Sequence, residues 1–362
     1  MYIHVVRGAS RVWFGLCLPP EIARFQTCMD FAVPTSSITK PGFSTYRAPF
    51  WLPGGDLQTL YAAALRRPRM AYRRERWELP DGDFLDLDWL DGVANSPPDA
   101  PLVVLFHGLE GDSRGHSARF LMAEVRRLGW RGVVPHFRGC SGELNRLPRA
   151  YHSGDSSEVG YILNRLRQNA APMFAVGVSL GGNALLKWLG EQGEAATETL
   201  RAAASVSAPL DLPAAGAALD RGFARVYTAH FLKTLKRKAL AKLDRFPGLY
   251  DRKALLEIGT IEGFDTLVTA SLHGYRDATD YWQQSASKPW LAHIRVPTLI
   301  VNARNDPFMP GRVLPGPDEV SAQVTLDFPN QGGHVGFVNG AFPGRFDWLP
   351  RRVMGFFASV DR

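Results

Sequence analysis

The sequence predicts an α/β fold: a doubly wound, mostly parallel sheet with a set of helices inserted late in the chain. Three observations carry that expectation. Short apolar runs recur at Leu102–Phe106, Met173–Val178, Ala202–Val206 and Thr298–Asn302, and such runs suit strands covered on both faces. Stretches of helical period lie between strands, as at Ser117–Leu128 and Val159–Leu166, which is the alternation of a parallel sheet. Between Asp211 and Pro297 the alternation stops and the text reads as helices.

Taken in order, residues 1–46 differ from the rest. The apolar patch Val12–Leu18 follows Arg7 and Arg11 but is broken by Gly15 and Cys17, and no clean cleavage site follows, so a signal peptide is not expected. We read 1–46 as a leader, poorly ordered or set by a start at Met1 in place of Met29, and 47–362 as the folded domain. Trp77–Leu79 and Phe84–Trp89 alternate about Asp81-Gly82-Asp83, a β-hairpin pattern. Gly132–Phe137 is a further strand, Asn183–Leu189 opens a helix, Val324–Phe328 is the last strand and Phe346–Phe357 the last helix. Helices are expected at Phe223–Leu243, Lys253–Glu257, Ile261–Ser271 and Tyr275–Ala286. This insertion, about 211–296, is expected to cap the carboxyl edge of the sheet, where ligands bind in such folds.

Composition narrows the function classes. With 362 residues, 45% hydrophobic and 21% charged, the chain is globular over most of its length. No run approaches eighteen apolar residues, which excludes a membrane-spanning helix. Three cysteines (Cys17, Cys28, Cys140) make no disulfide framework, and a cytoplasmic protein is expected. Much of the net charge of +7 comes from six arginines in Arg66–Arg76 and from a Lys-rich stretch of the insertion. No RNA- or DNA-binding pattern accompanies them, so no nucleic-acid partner is expected. Neither ligand-spaced His/Cys clusters nor a phosphate-binding glycine loop is present, so neither metal nor nucleotide cofactor is expected.

The chemistry is concentrated in Gly177-Val178-Ser179-Leu180-Gly181, a G-x-S-x-G pattern between an apolar strand and a helix. Small residues two before and two after the serine permit a tight strand-to-helix turn, which lifts Ser179 from the sheet and aims a helix N-terminus at the reacting group. A serine hydroxyl needs a base, and the base an orienting acid, in the chain order Ser, acid, His. His334, in Gln331-Gly-Gly-His-Val-Gly336, is the candidate base, and Asp306, after Thr298–Asn302, the candidate acid. Asp211 is the rival acid; Asp327 lies inside a strand pattern and is a poor one. Oxyanion donors are expected from the backbone N–H groups of Leu180 and Leu109, the second lying in Phe106-His-Gly-Leu-Glu-Gly111. His107 precedes the nucleophile and is read as packing or hydrogen bonding beneath that loop. Arg138, Glu143 and His152 are read as a buried network supporting the turn, and Cys140 as small packing.

These motifs, with Trp51-Leu-Pro-Gly-Gly, Leu57-Gln-Thr59, His136-Phe-Arg-Gly-Cys-Ser-Gly-Glu143, Asn145-Arg146, Tyr151-His-Ser-Gly154, Phe264-Asp265 and Asp306-Pro-Phe308, resemble the YheT-like α/β-hydrolases, bacterial relatives of the mammalian ABHD1/ABHD3 group. The resemblance spans about 48–348. It implies an α/β-hydrolase fold, carboxylic-ester hydrolysis, and Ser179, Asp306 and His334 as the triad. The family usually has His before Leu-Gln-Thr where this chain has Asp56, which weakens any role carried over to that position.

The expected substrate is a short- or medium-chain ester, with hydrolysis of lipid acyl groups at a membrane surface as the alternative. A non-catalytic binding protein of this fold would be expected to lack a triad member. Arg225–Arg245 sets Val226, Phe231, Leu232, Leu235, Leu240 and Leu243 beside Lys233, Lys236, Arg237, Lys238 and Lys242. It is read as an amphipathic helix with its apolar face on the site and a solvated basic face. Peripheral contact of that basic face with anionic lipid is the other reading.

Overall fold

The computed structural model describes residues 45–90, 99–167 and 171–361. Its strands are β1 (Tyr72–Glu78), β2 (Phe84–Leu90), β3 (Leu102–Phe106), β4 (Arg131–Pro135), β5 (Met173–Val178), β6 (Ala202–Val206), β7 (Thr298–Val301) and β8 (Val324–Asp327). They form one sheet in the order β1-β2-β4-β3-β5-β6-β7-β8. The hairpin β1–β2 is antiparallel and joins β4 antiparallel; every later pairing is parallel. This is the doubly wound sheet that the sequence predicts, with the hairpin longer at its start than the alternation suggests.

The apolar runs are explained by what covers them. Val103 and Leu105 of β3 enter one core layer, while Leu102, Val104 and Phe106 enter the other. Phe174, Val176 and Val178 of β5 divide from Met173 and Ala175 in the same way. On one face lie α1 (Gly55–Ala64), α2 (His116–Arg127) and the final helix; on the other lie α3 (Ser156–Leu166) and α4 (Leu180–Gln192). Helix α1 is an element that hydrophobic periodicity does not disclose.

Between β6 and β7 the described chain is helical. It runs through α5 (Leu212–Leu219), α6 (Arg225–Arg245), α7 (Arg252–Glu257), α8 (Ile261–Phe264), a π-helical turn (Asp265–Ala270), α9 (Ser271–His273) and α10 (Ala278–Ser285). These helices share a third apolar cluster that includes Leu232, Leu243, Leu255, Phe264 and Trp282. The chain ends in α11 (Trp348–Val360). The leader expected at 1–46 lies outside the described residues except for Thr45 and Tyr46. Tyr46 is buried and donates its hydroxyl to Val338 O at 2.8 Å.

The basic helix differs in part from its expected orientation, since Lys233 and Arg237 are exposed but two other lysines are not. Lys238 and Lys242 do not face solvent: Lys238 Nζ pairs with Glu110 at 2.7 Å, and Lys242 Nζ donates to the carbonyls of Leu147 and Arg149 at 2.8 and 2.6 Å. Lys242 is 6% exposed, and burial lowers its pKa to about 8. The carboxylate and carbonyls come from loops of the sheet domain, so this side of α6 is a polar seam with that domain.

Candidate active site

The turn after β5 is built by steric exclusion. Ser179 sits at φ 53° and ψ −121°, a conformation that costs a non-glycine residue. Its backbone N–H is held by Val206 O at 2.8 Å. A Cβ at position 177 would stand 2.5 Å from Gly181 O, and one at 181 would stand 2.5 Å from His107 O. Both glycines are therefore demanded by the backbone, and the turn delivers Ser179 to the N-terminus of α4.

Three loops converge on that hydroxyl. His334 Nε2 lies 3.0 Å from Ser179 Oγ, and His334 Nδ1 lies 2.9 and 3.2 Å from the two oxygens of Asp306. Asp306 is 4% exposed and also accepts from the Phe308 N–H at 2.8 Å. Phe308 stacks on the His334 ring, with centroids 4.0 Å apart. The rival Asp211 instead caps α5, accepting from the Ala214 N–H, and Asp327 pairs with Arg352.

The structure adds residues to which sequence reasoning gave no task. Gln58 of α1 is fully buried. Its side-chain oxygen accepts from Asn305 Nδ2 and from the Gly332 N–H, and its amide nitrogen donates to Leu52 O and Gln331 Oε1. Thr59 Oγ1 accepts from the His334 N–H at 2.8 Å and donates to Gly55 O at 2.7 Å. Helix α1 thus joins the Asp306 loop to the His334 loop. The Leu-Gln-Thr motif was the available signal, but its partners lie more than 240 positions away. Asp56, the departure from the family pattern, accepts from the Tyr227 hydroxyl of α6 at 3.0 Å.

Gly108 packs against the serine: a Cβ there would come 3.1 Å from Ser179 Cβ and 3.6 Å from its Oγ. Leu109 and Leu180 line the same cavity as Ser179 and His334. Beneath this loop His107 Nε2 accepts from the Phe137 N–H, and burial lowers its pKa to about 3, so the ring is a neutral support. The cavity encloses about 150 Å³, a volume that in an engineered apolar site admits benzene. The inserted helices contribute Leu212, Leu219, Phe231, Leu235 and Phe264 to its wall.

Other expected roles change. Arg138 pairs with Glu158 at 2.6 Å, Asp81 at 2.8 Å and Asp83 at 3.0 Å, rather than with Glu143 and His152. Glu143 pairs instead with Arg76. Cys140 is a buried free thiol, and burial raises its pKa to about 11. Among the described residues no group of His, Cys, Asp or Glu could hold a metal ion, and no helix is long and apolar enough to cross a membrane.

Comparison with known proteins agrees with the fold. Residues 101–341 match the family described as alpha/beta hydrolase fold. The chain is 41% identical over 302 residues to the Escherichia coli protein named "Putative esterase YheT", covering 82% of this chain and 88% of that one. It is 28% identical over 316 residues to human "Phospholipase ABHD3", covering 85% and 77%. Among solved structures, the Pyrococcus furiosus esterase Pf2001 superposes with a TM-score of 0.52 at 15% identity, over 82% of this chain and 99% of that one.

Proposed function

The chain belongs to the alpha/beta hydrolase fold family and, within it, to the YheT-like group; from that premise we propose that it is a serine esterase acting on carboxylic esters through an acyl-enzyme. One observation carries the reading: the unbroken line from Asp306 through His334 to Ser179 Oγ, with contacts of 2.9 and 3.0 Å. Ser179 Oγ attacks the ester carbonyl while His334 Nε2 takes its proton. Asp306 fixes the imidazole tautomer and stabilises the imidazolium. The N–H groups of Leu109 and Leu180 hold the developing oxyanion. His334 returns the proton to the leaving alkoxide, and water then releases the acyl group through the same base.

The insertion at 211–296 serves as the cap of this site, and its apolar side chains receive the acyl chain. Short- and medium-chain esters are the proposed substrates. Lipid esters are the second reading, supported by the apolar wall of the cavity and by the relative named a phospholipase. A cytoplasmic site of action is part of the proposal and is supported by the low cysteine content.

The test is covalent labelling with a fluorophosphonate. The wild-type protein is expected to take up one label and to hydrolyse a nitrophenyl ester; Ser179→Ala, still folded, is expected to do neither. Turnover retained in that variant ends the reading.

A further inference from the structure

Of the seven large hydrophobic side chains exposed among the described residues, six are linked through contacts between their segments, and Leu256 of α7 is the seventh. Phe50, Leu57, Leu60, Phe223, Val226 and Phe342 are large hydrophobic residues between 44% and 96% exposed. Contacts connect them into one surface. Trp51, next to Phe50, packs on Phe342 and on Tyr61 of α1, with centroids 5.5 and 5.2 Å apart. Asp56 of α1 accepts from Tyr227, which packs on Phe223 and follows Val226. The outer face of α1 is entirely apolar, formed by Leu57, Leu60, Ala63 and Ala64. An exposed helix ordinarily turns polar residues to water, and a patch of this kind marks an interaction site.

The charge around the patch indicates the partner. Segments 45–69, 219–229 and 337–346, which form it, hold seven arginines and two aspartates, with no lysine or glutamate, and Asp347, the next residue, pairs with Arg345. Arg66, Arg67 and Arg69 follow α1 directly, and Arg221 and Arg225 flank Phe223, all exposed. The aspartates are turned to internal tasks: Asp56 holds Tyr227, and Asp220 accepts from the N–H groups of Ile261 and Glu262. Exposed apolar side chains on segments that also carry exposed arginines match a bilayer surface of anionic lipid, where side chains enter the headgroup boundary and cations meet phosphate. The patch also adjoins the catalytic residues, since Tyr227 packs on Phe308 and Phe308 on His334.

We propose that the face formed by α1, the Phe342 loop and the start of α6 docks on anionic lipid membranes, bringing the cavity beside its substrate. This assignment deepens the lipid-ester reading above and rests on it for its purpose. It places the contact on a different surface from the basic face of α6, two of whose lysines, Lys238 and Lys242, are engaged with the sheet domain.

Co-sedimentation of the full chain with vesicles of phosphatidylcholine, with and without phosphatidylglycerol, tests the proposal. The wild-type protein is expected to bind the phosphatidylglycerol vesicles and to be released by salt. Leu60→Ser with Phe342→Ser is expected to lower binding about tenfold while melting and turnover of a water-soluble nitrophenyl ester stay unchanged. Arg66→Glu with Arg69→Glu is expected to weaken binding only where phosphatidylglycerol is present. Absent binding, or binding that these variants do not change, overturns the proposal. So does a dimer in light scattering that the apolar variant dissolves, which would make a second copy the partner. So too does anionic-vesicle binding that appears only after removal of residues 1–44, since the patch would then be covered by its own chain. Failure of soluble-ester turnover in the wild type would strike the esterase reading and leave the vesicle result standing.

Discussion

The side-chain oxygen of Gln58 accepts a hydrogen bond from Asn305 Nδ2 at 3.0 Å, and the same oxygen accepts from the Gly332 N–H at 2.8 Å. Asn305 precedes Asp306, and Gly332 lies two residues before His334. One buried amide therefore sets the spacing between the Asp306 loop and the His334 loop. Catalysis is sensitive to displacements of about 1 Å in such arrangements. Gln58→Ala is expected to lower kcat about 10–100-fold with KM within about twofold, as for groups that orient a reacting residue. Thr59→Val, which deletes the acceptor of the His334 N–H, is expected to act in the same direction. Steady-state kinetics on a soluble ester separate this from unfolding, because a global loss of structure lowers active-site titre rather than turnover per titrated site.

The choice of acid gives a second prediction. Asp306 faces His334 Nδ1, whereas Asp211 accepts from the first turn of α5. Asp306→Asn is expected to cost about 10⁴ in kcat, because an amide presents the wrong partner to the imidazole N–H. Asp211→Asn is expected to leave kcat within about twofold, since asparagine also serves as an N-cap. Equal loss in both variants would remove the distinction.

The contrast between what was and was not legible has a physical basis. Strands β3, β5, β6 and β7 could be read because both faces are covered, which enforces continuous apolar text. That Ser179, Asp306 and His334 come together could be read because each follows a strand, and the chain order limits the alternatives. Helix α1 could not, because it turns inward a glutamine, a threonine and a single small apolar side chain, Ala62, rather than an apolar stripe, while leucines face out. The sequence places Glu143 and His152 near Arg138, yet the sheet brings it Asp81 and Asp83 from the hairpin turn and Glu158 from α3. Lys238 and Lys242 looked solvated because their acceptors lie about a hundred residues upstream, beyond any local pattern.

Arg138 supplies a prediction about stability. Its guanidinium sits between Asp83 and Glu158, all three buried, with Asp81 half-exposed beside them. Burial raises the pKa of Glu158, and the arginine opposes that rise. Arg138→Met leaves buried carboxylates without their cation, a change that costs about 3–5 kcal/mol. Urea unfolding at neutral pH is expected to show that loss. Arg138→Met with Glu158→Gln is expected to recover part of it, because one orphaned charge is then gone.

Asp265 predicts a pH dependence of stability. It lies on the π-helical turn, lines the cavity that holds Ser179, and accepts from Thr269 Oγ1 and Trp282 Nε1. Burial raises its pKa to about 6, with the two hydrogen bonds acting the other way. An unfolded chain ionises this carboxyl near pH 4. Between about pH 4 and pH 6 the native state therefore holds the proton more tightly than the unfolded state. The stability from this group is fully present below about pH 4 and is lost as pH rises through about 6. Asp265→Asn has no proton to release, so measuring both proteins isolates the effect. Relative to the variant, the wild type is expected to lose about 3 kcal/mol between about pH 4 and pH 7. Urea unfolding of the pair across that range checks it, and a difference that stays constant with pH would show that Asp265 titrates as an ordinary exposed carboxyl.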